Sequence, residues 1–154
     1  MSTANTRGRP RDCIVIVGGG LAGQRCAEAL RRAGYEGAIR MVCAESRPPY
    51  DRPPLSKQML LGSIDGDSLP YRSRAWYAEH DVDLLLGAPA TALAAGGPWV
   101  KLSTGATLRY TRLLIATGSR PRELPILSGY DNVSQLRTLA TRPRCGMRWP
   151  TALA

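Results

Sequence analysis

Three glycines, one carboxylate and two cations are the residues of this 154-residue chain whose types and spacing point to chemistry. Gly18, Gly20 and Gly23 stand in GxGxxG spacing within GGGLAG, directly after the apolar run CIVIV. The first glycine permits a tight turn, the second lets the backbone approach a pyrophosphate, and the third lets a helix close on a strand. Glu45 ends the next apolar segment, AIRMVCA, roughly twenty to thirty residues beyond the glycines, where a carboxylate accepts hydrogen bonds from both hydroxyls of an adenosine ribose. Next comes PPYDRPPLSK, residues 48–57, with prolines at 48, 49, 53 and 54. These remove backbone donors and push the preceding residues into extended geometry, which predicts a stiff loop, neither helix nor sheet, that holds Arg52 and Lys57 in place.

The elements that must position these residues are legible around them. CIVIV is a short continuous run of mostly β-branched type, expected of a strand buried on both faces of a parallel sheet. A helix is predicted from Leu21 to Arg32, with Ala22, Cys26, Ala29, Leu30 and Ala33 on its inner side and Gly34 as its stop. Its N-terminus directs free amides and the positive dipole end at the glycine turn. Strand, glycines, helix, strand and acid in this order predict a dinucleotide site, against the plainer reading that the glycines merely close a turn. NAD and FAD both carry the ADP half that such a unit binds. The loop favours FAD: a simple dehydrogenase would continue with a crossover helix. Here Arg52 can neutralise a diphosphate, and Lys57, opening a predicted short helix LSKQMLL, can stabilise an anionic reduced flavin. Further on, Ser73 is the predicted cap of a helix RAWYAEH, followed by a strand VDLLLG. WVKLS and TLRY around a Thr-Gly turn predict a hairpin outside the main sheet, and LLIAT returns the chain to that sheet. Trp76 and Tyr77 are expected on a helix face or in the core, and His80 is expected to face solvent without a catalytic role.

Composition narrows the classes. The length suits one ordinary domain. The formal net charge is +9, yet residues 12–140 hold fifteen Lys and Arg against twelve Asp and Glu, and the remaining six arginines lie in the two tails. Nucleic acid needs a basic face on a folded element, so it is not expected as a partner. Cys13, Cys26, Cys43 and Cys145 show no CxxC spacing, so neither a metal site nor a redox disulfide is expected. CIVIV is too short for a signal peptide or a membrane span, which predicts a soluble, cytoplasmic protein.

At this point a resemblance carries further. IVIVGGGLAGQRCAEALRRAGYEGAIRMVCAE followed by PPYDRPPLSKQMLLG resembles the start of the flavoprotein ferredoxin reductases, the putidaredoxin-reductase type within the glutathione-reductase superfamily. RLLIATGSRPRELPI resembles that group's strand and ATG turn, and QLRTL its later arginine motif. The resemblance spans residues 12–140 and implies an α/β, Rossmann-like parallel sheet with a hairpin or meander insertion, an incomplete FAD-binding domain. It implies FAD as cofactor, NAD(P)H as its reductant and a ferredoxin or similar iron-sulfur protein as electron acceptor. Position by position, it puts Leu21 and Ala22 at the diphosphate, Glu45 on the ribose, and Arg52 and Lys57 towards the flavin. Ala90 matches the position whose backbone meets adenine, Thr117 and Gly118 the turn that closes over the cofactor, and Arg137 the arginine of LRTL. Disulfide reductases of this superfamily carry a CxxxxC pair near the loop; none stands here, so a flavin-to-disulfide relay is not expected.

The ends depart from this pattern. Residues 1–11 are polar and expected to be disordered. The segment ATRPRCGMRWPTALA lacks acids and helical period, where the family continues into a helix and a second strand-glycine-helix unit that binds NADH. A truncated product with an out-of-frame tail over 141–154 is the expectation, with an exposed apolar sheet edge and weakened FAD binding as its consequences. An NAD-dependent dehydrogenase fragment and a non-catalytic nucleotide-binding remnant are the rival readings. The nucleotide sequence tests the frame: a second frame downstream of codon 139 encoding the family's continuation is the expected result.

Overall fold

The computed structural model describes residues 12–131 and 133–141, so the polar N-terminus and residues 142–154, with Cys145, lie outside the described residues. These residues form two compact units, one of residues 12–50 and 71–118 and the other of 51–70 and 119–141.

The first unit is built on a four-stranded parallel sheet. Its strands are β1 (Cys13–Val17), β2 (Ala38–Val42), β3 (Val82–Leu85) and, last in the chain, Arg112–Ile115. Between them fall α1 (Leu21–Arg32), α2 (Arg74–Glu79) and an antiparallel meander of β4 (Ala90–Leu93), β5 (Trp99–Leu102) and β6 (Thr107–Arg109), which makes the final parallel strand β7. The order across the parallel sheet is β3-β2-β1-β7, and the meander forms a separate sheet, as the hairpin pattern predicts. β1 is central and apolar on both faces, with Val15 and Ile16 wholly buried. Ile16 joins Ile39, Met41, Tyr77 and Val82 in one core layer; Val15 joins Val42, Val100 and Leu102 in the other. Each such aliphatic side chain contributes roughly 1.5–3 kcal/mol on burial, which is why an unbroken β-branched run reads as a central strand. β7 is half-buried, and Ile115 at its end is 62% exposed.

α1 runs over the predicted span, but its inner face differs from the expectation. Gly23, Gln24 and Ala27 are buried and Cys26 and Leu30 partly so, whereas Ala22, Ala29 and Ala33 are exposed. Alanine carries too little apolar area to mark a face, and burial there follows approach to the sheet at Gly23 and Ala27 and a polar partner in the core at Gln24. Gln24 is accommodated because its carbonyl oxygen accepts the Tyr77 hydroxyl proton and its amide donates to Glu28 at 3.2 Å. Ser73 caps α2 as expected, its hydroxyl accepting from the Trp76 amide at 3.1 Å. His80 is half-buried, not solvent-facing: its ring stacks on Trp76 at 4.2 Å, with Nδ1 2.8 Å from the Trp76 carbonyl. Arg31 ties α1 to the following strands, donating to the carbonyls of Gly37, His80 and Asp81 at 2.7–2.9 Å. No helix among the described residues is long and apolar enough to cross a membrane.

In the second unit the loop also departs from expectation. Pro53–Ser56 forms a 3-10 turn, with the prolines at its first positions, where a missing amide costs nothing. The predicted helix LSKQMLL is absent; after Lys57 the chain continues as turns to Gly62. Leu55 and Met59 are buried and, with Leu60 and Leu136, line a small apolar hollow.

Glu28 fastens α1 to the chain before α2 and sets a pH dependence. Its carboxylate, 12% exposed, pairs with Arg72 at 2.7 Å and Arg25 at 2.8 Å. Burial pushes its pKa up, but hydrogen bonds from Arg25, Gln24 and Arg72 outweigh that and hold it below the ordinary 4.5. A depressed carboxyl pKa gives stability that is present above the ordinary value and is lost as pH falls through the folded one. Glu28→Gln is therefore expected to lower the urea midpoint at pH 7, by a free energy on the order of 1 kcal/mol. That deficit should shrink below pH ~4.5, which parallel urea titrations of the two proteins measure.

Candidate functional site

β2 lies to one side of β1 and β7 to the other, so the chain's winding reverses at β1. The crevice beyond the carboxyl ends of strands at such a switch point is where open α/β sheets bind ligands. The segments leaving β1, β2 and β7 converge there. The Gly18 amide donates to the Val42 carbonyl at 2.9 Å and the Ala116 amide to the Val17 carbonyl at 2.8 Å, so both neighbouring ladders run into the turn.

The three motif glycines have three different physical reasons. Gly18 has φ +130°, and a Cβ there would lie 2.1 Å from the Ala116 carbonyl oxygen. A Cβ on Gly23 would lie 2.1 Å from the Gly18 carbonyl oxygen. These two interlock, backbone against backbone. Gly20 is unlike them: its φ of −101° suits any residue, and a Cβ there meets nothing within 4 Å. Protein packing does not require glycine at 20. Its open space lies directly before α1, whose N-terminus has no side-chain cap and no acidic residue in its first turn. Leu21 and Ala22, both exposed, belong to the turn whose amides a helix leaves without internal partners. The residues present thus suit a bound diphosphate: free amides, a favourable dipole and room at the one glycine that needs none for folding.

Glu45 follows β2. Its carbonyl accepts from the Gly87 amide at 2.9 Å, and its Oε2 accepts the hydroxyl proton of buried Tyr50 at 2.6 Å. Cys43 packs beneath the turn, its Sγ 2.7 Å from where a Cβ on Gly19 would stand. Burial, with the Glu45 charge as a second cause, pushes its thiol up to about 12, so it is a neutral space-filler at pH 7. Thr117 and Gly118 follow β7 beside the glycine turn; both are exposed, and Gly118 has φ +69°. Ala90 opens β4, opposite Leu102 in β5. The remaining sequence-predicted residues belong to the second unit. There Arg52 Nη1 donates to the Arg137 carbonyl at 2.9 Å, joining the proline loop to LRTL. Lys57 is exposed at the end of the 3-10 turn. Thr141 closes the LRTL turn, its hydroxyl oxygen accepting from the amides of Arg137 and Thr138 at 3.0 and 2.8 Å. Sequence reasoning passed over Tyr50 and Cys43; an aromatic beside a proline pair was the available signal for Tyr50, and nothing local marks Cys43.

Comparison with known proteins decides the ancestry. The family model described as pyridine nucleotide-disulphide oxidoreductase matches residues 12–145. The chain belongs to that family. Among this family's members, putidaredoxin reductase of Pseudomonas putida is 45% identical over 132 residues, which cover 83% of this chain and 31% of the relative. The ferredoxin-NAD(+) reductase component of the biphenyl dioxygenase system of Paraburkholderia xenovorans is 42% identical, over 84% of this chain and 32% of the relative. Of solved structures, the covalent putidaredoxin reductase-putidaredoxin complex superposes with a TM-score of 0.79 at 44% identity, over 85% of this chain and 32% of that one. The ferredoxin reductase for the CYP199A2 system from Rhodopseudomonas palustris gives 0.78 at 34% identity with the same coverage. This family member therefore spans about a third of the length of the relatives it matches. The sheet with its meander is the α/β architecture of these oxidoreductases, in partial coverage.

The glycines yield a graded expectation. Gly18→Ala and Gly23→Ala each force backbone atoms apart and are expected to lower stability by more than ~2 kcal/mol, or to prevent folding. Gly20→Ala is expected to leave the thermal midpoint within a few degrees while weakening nucleotide binding, as calorimetry and titration of the three variants would show.

Proposed function

We propose that residues 12–140 form the first segment of the FAD-binding domain of an NAD(P)H-dependent ferredoxin reductase. The observation that carries this reading is Gly20, open above an uncapped helix N-terminus and flanked by two glycines that the backbone itself demands. In this reading the amides of Leu21 and Ala22 hold the diphosphate, Glu45 accepts from the adenosine ribose hydroxyls, and the Ala90 backbone meets adenine. Thr117 and Gly118 close over the cofactor beside Gly18 and Gly20, with Gly23 holding the helix against the strand. Arg52 supplies positive charge towards the diphosphate while anchoring Arg137, and Lys57 stabilises negative charge on the flavin ring.

Bound FAD would supply the hydride-accepting and single-electron-donating chemistry that links NAD(P)H to an iron-sulfur protein. No side chain of this segment is required as acid or base; its residues bind, orient and tune. The names of the relatives, a putidaredoxin reductase and the ferredoxin-NAD(+) reductase component of a dioxygenase system, support a ferredoxin or similar iron-sulfur acceptor for the whole protein. Cys13, Cys26 and Cys43 are free thiols, which accords with a cytoplasmic location.

The test is optical. FAD is added to the purified chain, excess is removed, and the visible spectrum is recorded, with the cofactor identified after denaturation. Retained FAD is expected, and Glu45→Gln should weaken its binding about tenfold, the loss of one charge-assisted hydrogen bond. A protein that stays colourless at saturating FAD would overturn the reading.

A further inference from the structure

Glu45 is part-buried just beyond β2, and a carboxylate left to rotate there would be a poor reader of a ribose. The structure holds it. Tyr50 is 2% exposed, and its hydroxyl donates to Glu45 Oε2 at 2.6 Å, within the range of charge-assisted O–H···O⁻ bonds. Any carbonyl would have satisfied a buried tyrosine. Here the hydroxyl meets the carboxylate that follows β2.

The chain around Tyr50 is built to keep the hydroxyl there. Pro48 and Pro49 precede it with φ restricted and no amide to donate. Pro49 is wholly buried, and its carbonyl accepts from the Tyr71 amide at 3.0 Å. The Glu45 backbone is fixed independently, its carbonyl accepting from Gly87 at 2.9 Å. Donor and acceptor are thus each anchored through the backbone, and their bond sets the carboxylate's orientation before any ligand arrives. A tyrosine hydroxyl donates to the same acceptor-only form of the carboxylate that two ribose hydroxyls require. The stiffness of the PPY stretch, which a surface loop does not need, has a use in holding this donor.

We propose that Tyr50 is the positioning residue for Glu45, orienting its carboxylate to receive the adenosine ribose of the dinucleotide. The inference rests on the FAD reading above and goes beyond it in assigning the residue that pre-orients the ribose contact. Preorganisation of this kind raises affinity by removing an ordering cost at binding, without touching the ligand.

The experiment is a double-mutant cycle of FAD affinity, by titration of the wild-type chain, Tyr50→Phe, Glu45→Ala and the double variant. Tyr50→Phe keeps the ring and removes one oxygen. It is expected to weaken FAD binding about five- to tenfold alone and less than twofold in the Glu45→Ala background. With an FAD analogue lacking the adenosine 2′-hydroxyl, the effect of Tyr50→Phe should shrink, a readout that a packing role would not move. If the wild-type chain binds FAD and Tyr50→Phe binds it equally tightly, or the two substitutions act additively, the inference falls and the FAD reading stands. A Tyr50→Phe chain that fails to fold would assign the hydroxyl to stability and overturn the inference too. A wild-type chain that binds no FAD overturns the reading and this inference together.

Discussion

The architecture depends on backbone meeting backbone at Gly18. The Gly23 position lies against the Gly18 carbonyl, and the Gly18 position against the Ala116 carbonyl, each at a separation no side chain survives. That contact lets α1 start immediately above β1 and brings the chain leaving β7 alongside the turn. Without it the helix N-terminus would stand off the sheet, and the segments after β1 and β7 would not share a crevice. The buried Gly23 of α1 follows from the same requirement, since a Cβ there would meet the Gly18 carbonyl oxygen.

Around that contact the first unit spends its polar groups on orientation. Gln24 and Tyr77 satisfy each other inside the core, and Glu28 gathers two arginines at the helix surface. Arg31 collects carbonyls from the segments that leave α1 and α2. These bonds fix the direction of α1, and hence the direction in which its free amides and dipole point. The Tyr50 to Glu45 bond does the same for the carboxylate at the end of β2. Cys43, close beneath Glu45 and Gly19, contributes volume alone, its thiol kept neutral by burial.

Much of this was legible along the chain because the signals are local. The β-branched run at Cys13–Val17, the GxGxxG spacing and the stop at Gly34 each depend on neighbours within one turn or one strand. Ser73 could be assigned as a cap for the same reason. Prolines at 53 and 54 exclude an α-helix interior but not a 3-10 turn that begins with them, and no helix followed at Lys57. The inner face of α1 was misread because alanines outnumber the glycine and glutamine that are buried; burial there is set by distance to the sheet, which periodicity does not encode. His80 gained its stacking partner one helical turn back, on Trp76.

What the sequence by itself determined is the order of elements around the candidate site: strand, glycine turn, helix, strand and acid, with a proline-stiffened loop beyond. These rest on backbone conformational limits and on hydrophobic runs, which act over a few residues. Only the tertiary structure decided which glycine is spare, which tyrosine holds the acid, and that Arg52 reaches the carbonyl of Arg137. Those depend on atoms brought together by the parallel register and by loop closure, and the separation of Gly18 from Ala116 along the chain carries no trace of their contact in space.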